Sequence, residues 1–300
     1  MFNVDTVALI DCAGRLLRLD RPQIMGIVNV TPDSFSDGGQ HASVQAAVEH
    51  GLKLVSEGAD LLDVGGESTR PGADPVDEAT ELARVLPVIE ALVAQTTVPI
   101  SIDTTKPSVM RAALAAGAGM VNDVMALRED GALAAVAESN AAVVLMHMQG
   151  QPRSMQAAPH YDDVVGEVHR FLTERVFACE MSGIDKRRIL IDPGFGFGKA
   201  LEHNMALLAQ LRRFTELGVP VLAGFSRKSS LGELTGRRVD ERLSASVAAH
   251  LIAVQNGAMF VRVHDVAATV DALKVWAAVS AVPVPRSGSA PASIRWPDED

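Results

Sequence analysis

Cysteine, positive charge and long apolar runs are all scarce in this 300-residue sequence. The two cysteines, Cys12 and Cys179, have neither CxxC nor Cys/His spacing, which argues against a disulfide framework or a zinc site. The 27 lysines and arginines against 37 acidic residues give a net charge of -10, which repels nucleic acid and anionic lipid. No apolar run reaches the length of about 18 residues that a membrane span needs, and the N-terminus lacks the pattern of a signal peptide. We therefore expect a cytoplasmic protein with no nucleic-acid or membrane partner.

Hydrophobic residues, at 48%, are abundant and fall into eight short runs separated by longer amphipathic or alanine-rich segments. The runs predict eight strands: IMGIVNV, ADLLDVG, VPISIDT, GMVNDV, AAVVLMH, RILIDP, VPVLAGF and AMFVRVH. Helices are predicted between and after them at 43–57, 75–95, 107–116, 129–139, 161–182, 204–217, 240–256 and 266–280. Strands that are apolar along their whole length are typical of a parallel sheet covered by helices.

Five glycines stand between a predicted helix and the next strand, where a left-handed helix cap is needed: Gly58, Gly117, Gly183, Gly218 and Gly257. Eight such units favour a single (β/α)8 TIM barrel of the α/β class, and an open doubly wound sheet is the alternative. We expect residues 1–280 to form this domain, beginning with an N-terminal β-hairpin that turns at Ala13 and Gly14. Residues 281–300, rich in proline and serine with an acidic end, are expected to be a disordered C-terminal tail.

Every predicted strand ends in polar or charged residues. In order, these are Asn29, Asp63, Asp103, Asn122 with Asp123, His147, Asp192, Ser226 to Lys228, and Arg262 with His264. The carboxyl ends of barrel strands meet at one rim, where barrel enzymes place their chemistry. A single Asp or Asn after a strand often serves only as a helix N-cap, but that role does not account for eight in order. Three long glycine-rich segments, at 31–40, 65–74 and 224–237, also fall on this rim and indicate a functional site there.

The polar rim residues suggest two kinds of ligand. Asp103, Asn122 and Asp192 offer hydrogen-bond acceptors suited to a heterocycle with an amidine-like edge. Arg262, His264 and Arg70 offer donors to an anion, and barrels often bind phosphate near the eighth strand. The run DPGFGFGK matches neither a dinucleotide nor a Walker motif, so its glycines predict close approach to a flat ligand instead.

The ordered motifs resemble those of the dihydropteroate synthase family, over about residues 23–273. They are MGIVNVTPDSFSDGG, DVGGESTRPGA, SIDTTKP, VNDV, LMHMQG, DPGFGFGK, GFSRKSSLG and RVHDV. The resemblance implies a barrel enzyme that joins hydroxymethyl-dihydropterin pyrophosphate to para-aminobenzoate through a pterin cation, releasing pyrophosphate. It also implies bound Mg²⁺, membership of the enzyme class that sulfonamides target, and a homodimer formed through C-terminal helices, for which LSASVAAHLIAV is a candidate.

The resemblance also assigns roles to individual residues. It implies catalytic roles for Asp33, Phe35, Asp103, Lys228 and Arg262. It places the pterin on Asp103, Asn122, Met146, Asp192, Lys228 and Arg262. It assigns pyrophosphate binding to Asn29, Thr69, Arg70, Arg262 and His264. Asn29 is also implied as a ligand of the metal. The para-aminobenzoate site is given to Phe35, Thr69, Arg70, Pro71, Phe197, Ser226 and Lys228.

Three other functions remain as alternatives. A pterin-dependent methyltransferase shares the barrel but has no use for Arg70, for the lysine of GFSRK or for the cationic pair of RVHDV. A catalytically silent pterin-binding paralogue retains the fold but usually loses loop residues such as Asp33 and Phe35, which are present here. An unrelated α/β-barrel enzyme does not explain eight motifs in this order.

Overall fold

The computed structural model describes residues 8–31, 39–68, 75–150, 155 and 159–282. Eight parallel strands form its central sheet: β3 (Gln23–Asn29), β4 (Leu61–Gly65), β5 (Ile100–Asp103), β6 (Met120–Asp123), β7 (Ala142–Met146), β8 (Ile189–Asp192), β9 (Leu222–Ala223) and β10 (Phe260–Val263). They hydrogen-bond in the order β8-β7-β6-β5-β4-β3-β10-β9. A parallel bridge between Ile191 and Val221 joins β8 to β9 and closes the barrel.

Nine α-helices are described outside this barrel. They are α1 (Gly39–Ser56), α2 (Glu78–Gln95), α3 (Pro107–Ala115), α4 (Ala132–Ala137), α5 (Val164–Met181), α6 (Leu201–Ala209), α7 (Ser229–Thr235), α8 (Leu243–Gln255) and α9 (Val266–Ser280). Short 3₁₀ helices lie at Lys186–Arg188, Leu211–Leu217 and Val239–Glu241. No helix among the described ranges is both long and apolar enough to cross a membrane.

The barrel and the eight strands predicted from the sequence are confirmed, and some of the differences are at helix ends. Helix α2 starts later than expected because the Asp77 side chain accepts a hydrogen bond from Thr80 N at 2.9 Å and so caps it. Asp163 caps α5 in the same way, through Gly166 N at 3.0 Å. The five glycines expected to end helices all have positive φ, from 69° at Gly218 to 105° at Gly58.

Two expectations about the second half of the chain were wrong. The segment 224–237, expected to be a loop, contains helix α7, because its glycines lie at the ends and near the middle of a short helix-compatible run, SSLGELT. The helix expected at 204–217 is instead α6 followed by the 3₁₀ helix Leu211–Leu217. The tail expected after residue 280 lies mostly outside the described residues, because the description ends at residue 282.

An N-terminal hairpin, β1 (Leu9–Cys12) and β2 (Arg15–Arg18), is present as expected and fills the lower end of the barrel. Ile10, Cys12 and Leu17 of the hairpin pack against inward side chains of the strands. Those strand residues form the barrel floor and are Met25, Leu61, Met120, Ala142, Val144, Leu190, Leu222 and Phe260. Gly119 allows this contact, because a Cβ there would lie 2.3 Å from Cys12 O.

Candidate active site

A layer of polar side chains lies directly above the barrel floor. Side chains of a strand alternate between its two faces, so a residue two positions beyond a floor residue also points into the barrel. Asp63, Asn122, Asp192 and Arg262 each lie two positions beyond a floor residue of the same strand. Asp103 joins them, because β5 pairs Asp103 with Gly65 on one side and with Asn122 on the other. The sequence therefore places five polar groups at one end of the barrel.

Arg262 is the centre of this layer. Its Nε lies 2.6 Å from Asp63 Oδ2, and its Nη2 lies 2.8 Å from Asp103 Oδ2. Asn122 Nδ2 donates to the same Asp63 oxygen at 2.9 Å. Asp63 is completely buried, and its Oδ1 has no hydrogen-bond partner in the described part of the chain. Two carboxylates at this depth require a nearby cation, and Arg262 provides it.

The environment of this ion pair changes the acidity of its members. Burial raises the pKa of Asp103 to about 7, while the guanidinium of Arg262 opposes the rise and the charge of Asp63 adds to it. Burial disfavours the charge of Arg262, but Asp63 and Asp103 outweigh it and raise the pKa of Arg262 above its ordinary value. Asp103 therefore exchanges a proton near neutral pH, whereas Arg262 stays charged.

Asp192, at the end of β8, provides a second carboxylate in the layer. Its Oδ1 accepts a hydrogen bond from Gly194 N at 2.7 Å. Burial raises the pKa of Asp192 to about 6, against the effects of this hydrogen bond and of the charges on Lys228, Lys199 and Arg262. Asp192 is thus held as a well-oriented acceptor that is mostly ionised at neutral pH.

An apolar wall stands beside Asp192. Met146 at the end of β7 and Phe197 after β8 are both buried and belong to one cluster, with Val124, Met148 and Met155. The ammonium group of Lys228 lies 4.0 Å from the centroid of the Phe197 ring. The site therefore combines acceptors for a polar ring edge with an apolar surface suited to a ring face.

The segment Ser226 to Lys228 follows β9. Arg227 has a φ of 57°, in the left-handed region, and its guanidinium binds Asp265 at 3.0 and 2.6 Å. Non-glycine residues rarely adopt this backbone, so it marks a local constraint. The constraint is offset by three hydrogen bonds from Arg227, because its backbone N–H also donates to Ser246 Oγ at 2.9 Å.

Ser226 orients His264 across the same end of the barrel. Ser226 Oγ accepts from His264 N at 3.1 Å and lies 2.9 Å from His264 Nδ1. The Ser226 hydroxyl can also donate to Nδ1. In that tautomer of the neutral imidazole, Nε2 carries the proton and is a donor.

Lys106 holds the start of the segment 65–74 in place. Its ammonium group contacts the carboxylates of Glu67 and Glu81, at 2.6 Å in the case of Glu81 Oε2. Glu67 Oε1 in turn accepts from Val76 N at 3.3 Å, on the far side of the same segment. Glu67 therefore joins the two described ends of this segment.

With this geometry in place, comparison with known proteins is informative. The family model described as pterin binding enzyme matches residues 25–264. The dihydropteroate synthase of Escherichia coli K12 is 52% identical over 262 residues, covering 87% of this chain and 93% of that protein. The chain belongs to the dihydropteroate synthase family.

Solved structures of synthases agree with the fold. A Xanthomonas albilineans dihydropteroate synthase with 4-aminobenzoic acid is 69% identical, with a TM-score of 0.89, and the match covers 93% of this chain and 100% of that one. A complex of a synthase from the same organism with 7,8-dihydropteroate is 64% identical, with a TM-score of 0.83, covering 92% and 99%. A Yersinia pestis synthase with a sulfonamide drug complex is 47% identical, with a TM-score of 0.87, covering 91% and 100%.

The structure places most of the site residues implied by the family resemblance at the carboxyl end of the barrel. Those described there are Asn29, Asp103, Asn122, Met146, Asp192, Phe197, Ser226, Lys228, Arg262 and His264. Asp33, Phe35, Thr69, Arg70 and Pro71 lie outside the described residues. The residues suited to a heterocycle and those suited to an anion are in contact, because Arg262 binds Asp103.

Two residues of the site had been given no role from the sequence. Asp63 was recognised only as a polar strand end, although its position two residues after Leu61 is the alternation that also selects Asn122 and Asp192. Lys199, the last residue of DPGFGFGK, was considered only as part of a failed Walker match. Its burial has no local signal, because two of its four acceptor atoms belong to His147, which is distant in the sequence.

Replacing Asp103 with Asn should remove a pH dependence of stability. An Asp in the unfolded chain has a pKa of about 3.9, whereas burial raises that of Asp103 to about 7. Between these values the folded state holds a proton that the unfolded state lacks, so this contribution to stability falls as pH rises. The free energy of unfolding of wild type minus that of Asp103→Asn should therefore be larger at about pH 5 than at about pH 7.5.

Urea unfolding at both pH values measures this difference. Asp271→Asn, which changes an exposed carboxylate on α9, serves as the control and should show no such pH-dependent difference. An Asp103→Asn difference that is the same at both pH values would show that Asp103 is ionised across the whole range.

Proposed function

We propose that the chain condenses hydroxymethyl-dihydropterin pyrophosphate with para-aminobenzoate to form dihydropteroate and pyrophosphate. Membership of the synthase family makes it a transferase of this kind. The observation that carries the proposal is the buried layer in which Arg262 lies between Asp63 and Asp103, beside Asn122 and Asp192. It provides acceptors for a pterin edge and a negative environment for a developing cation at the same end of the barrel.

The acceptors and donors of the layer match a pterin ring. The Asp192 carboxylate can accept two hydrogen bonds, from an amino group and from an adjacent ring N–H. Lys228, which can only donate, is assigned to the ring oxygen or a ring nitrogen, and Asn122 can do either. Met146 is assigned to the ring face, because it lies in the apolar wall beside these groups.

Bond cleavage and bond formation place different demands on the site. The methylene C–O bond breaks with its electron pair going to pyrophosphate, which leaves a positive charge on the pterin methylene. The carboxylates of Asp103 and Asp63 lie where they can stabilise such a charge, within a layer that is shielded from water. The arylamine nitrogen then forms the new C–N bond and afterwards loses a proton. This amine is nucleophilic when neutral, so the reaction needs no strong general base.

The departing pyrophosphate is assigned to Arg262 and His264, with Thr69 and Arg70 from outside the described residues. His264 is assigned the tautomer in which the Ser226 hydroxyl donates to Nδ1 and the proton on Nε2 serves as a donor. Arg262 can stabilise the leaving group while it remains paired with the carboxylates, because a guanidinium has five N–H donors.

Magnesium is part of the proposal, with Asn29 as the protein ligand. Asn29 is half-buried at the end of β3 and provides a neutral amide oxygen, whereas the nearby Asp63 and Asp103 are occupied by Arg262. Such a donor fits an ion that takes most of its ligands from phosphate and water. When bound, Mg²⁺ supplies positive charge that stabilises the pyrophosphate.

Para-aminobenzoate is assigned to the outer side of the pterin site. Ser226, Lys228 and Phe197 lie close together there, as the contact between the Lys228 ammonium group and the Phe197 ring indicates. Phe35, Thr69, Arg70 and Pro71 complete the assignment from outside the described residues. A sulfonamide is expected to compete for the same position, since a relative from Yersinia pestis has been solved with a sulfonamide drug complex.

We also assign the enzyme to the cytoplasm, as a homodimer. Cys12 and Cys179 are both buried and unpaired, which suits a reducing compartment. The dimer proposal concerns the neighbouring helices α8 and α9, where large apolar side chains are exposed: Ile252 on α8, and Val275 and Val279 on α9. Val275 and Val279 are 67% and 68% exposed and lie one helical turn apart, so they share a face. Such a face is commonly covered by another chain.

The combined substitution Val275→Glu and Val279→Glu should separate the dimer. If the variant formed the dimer, carboxylates would be brought into an apolar contact. The dissociation constant of the dimer should therefore rise by about a hundredfold or more. Light scattering during size-exclusion chromatography measures the mass. Phe177→Glu with Met181→Glu is a matched control, because these exposed residues lie one turn apart on α5. A dimer that survives the α9 change but dissociates on the α5 change would place the interface elsewhere.

Lys228→Ala tests the proposed reaction itself. The purified protein is given dihydropterin pyrophosphate, Mg²⁺ and para-aminobenzoate, and both pyrophosphate and dihydropteroate are measured. Loss of a charged hydrogen bond to the pterin should lower kcat/KM by about 10- to 100-fold. Lys274→Ala, which removes an exposed lysine from α9, should leave kcat/KM unchanged. Tight pterin binding by wild type without product would favour a silent pterin-binding protein instead.

A further inference from the structure

Lys199 is a buried cation that the proposed reaction does not use. Only 3% of it is exposed. Its Nζ lies 2.9 Å from Gly194 O, 3.0 Å from Phe197 O, 3.0 Å from His147 Nδ1 and 3.3 Å from His147 O. An ammonium group at this depth is costly unless all its hydrogens are bonded. These four acceptors meet that requirement.

His147 accepts from Lys199 because it is neutral. Burial, together with the positive charges of Lys199 and Arg128, lowers the pKa of His147 to about 2. A neutral imidazole has one unprotonated nitrogen, and Nδ1 takes that role here because the ammonium group can only donate. The contact is a hydrogen bond between a cation and a neutral ring, so His147 does not cancel the charge of Lys199.

The contacts of Lys199 join two segments whose backbones are already in close approach. The first is 193–198, here called the glycine loop, and the second is the end of β7 with the residues that follow. Gly194 has a φ of 72°, and a Cβ there would lie 1.9 Å from His147 O. Gly198 has a φ of 63°, and its Cβ would lie 2.4 Å from Gln149 O. Since no side chain fits between the segments, polar contacts such as those of Lys199 must hold them together.

The glycine loop carries two groups that face the proposed pterin. The N–H of Gly194 donates to Asp192, and the ring of Phe197 lies beneath the ammonium group of Lys228. Lys199 binds the carbonyl oxygens of these same two loop residues, Gly194 and Phe197. Any change in its position is therefore transmitted directly to both groups.

We propose that Lys199 is a positioning residue for pterin binding: its ammonium group ties the glycine loop to His147 and so holds Asp192 and Phe197 in place. The proposal rests on the proposed function, because it concerns the same pterin site. Lys199 also has an electrostatic role, because its positive charge acts on Asp192. Asp192 faces three cations, Lys228 from the segment after β9, Arg262 from β10 and Lys199, and all three favour its ionised form.

The charge of Lys199 gives the proposal a readout that packing alone would not change. Burial lowers the pKa of Lys199 to about 7, with Asp192 opposing the change, so Lys199 is charged over the acid range. Removing this charge should raise the pKa of Asp192 beyond its value of about 6. Pterin binding, which needs the carboxylate, should then be lost at a higher pH on the acid side.

Calorimetric titration with hydroxymethyl-dihydropterin pyrophosphate and Mg²⁺, without para-aminobenzoate, tests this between about pH 5 and pH 8. The variants are Lys199→Met and Lys199→Gln, and the control is Lys186→Met, an exposed lysine just before β8. Both Lys199 variants should bind the pterin about tenfold or more weakly at neutral pH. Their acid-side midpoint should rise by about half a unit or more, and the control should match wild type in both respects.

Each other outcome overturns a defined part of the account. Unchanged affinity and midpoint in the Lys199 variants would show that the lysine only fills space. Weaker binding with an unchanged midpoint would overturn the electrostatic role. If neither variant folds, as judged by circular dichroism and cooperative thermal unfolding, Lys199 serves folding and the proposal fails. If wild type itself binds no pterin, the proposed function fails first.

Discussion

The buried contact of Arg262 with Asp63 and Asp103 is the interaction on which the rest of the site depends. Three charged side chains from three different strands meet at distances of 2.6 and 2.8 Å, with Asp63 completely enclosed. If Arg262 were removed, both carboxylates would lose their cation at a depth where breaking such a pair costs about 3–5 kcal/mol. The arrangement therefore requires β4, β5 and β10 to stay in register. The contact of Arg262 with Asp63 and Asp103 also explains how the site can stabilise both a cation and an anion. The two carboxylates stabilise the developing cation, and Arg262 remains able to bind the anionic leaving group.

This polar layer depends in turn on the apolar floor beneath it. The floor residues and the layer residues lie on the same face of each strand, so the depth of the floor sets the depth of the site. The hairpin β1–β2 fills the opposite mouth of the barrel with Ile10, Cys12 and Leu17, and Gly119 lets the hairpin backbone approach. With the lower end filled by side chains, ligands can reach the interior only from the polar end. The hairpin thus contributes to the position of the chemistry without touching it.

Local signals were enough to predict the barrel and the rim, and they failed where the structure depends on distant contacts. Three signals can be recognised within a few residues of sequence: apolar runs, cap glycines such as Gly58, and polar strand ends. The structure agrees with the elements that they predict. Helix α7 was missed because the glycines around it resemble a loop, and the helix at 204–217 was too long because nothing local marks the change to 3₁₀ geometry at Leu211. The pairing of Arg262 with Asp63 spans 199 residues. No pattern of spacing predicts this pairing. The burial of Lys199 cannot be predicted either, because it too depends on a contact with a residue distant in the sequence.

A double-mutant cycle between Asp63 and Arg262 tests the central claim most directly. Asp63→Asn, Arg262→Met and the double variant are compared with wild type by kcat/KM for dihydropteroate formation. If the two side chains act as one buried unit, each single change should cost nearly as much as both together, because the contribution of each side chain depends on the presence of the other. Costs that simply add, as they do for independent sites, would contradict the account and would place the two residues in separate parts of the reaction.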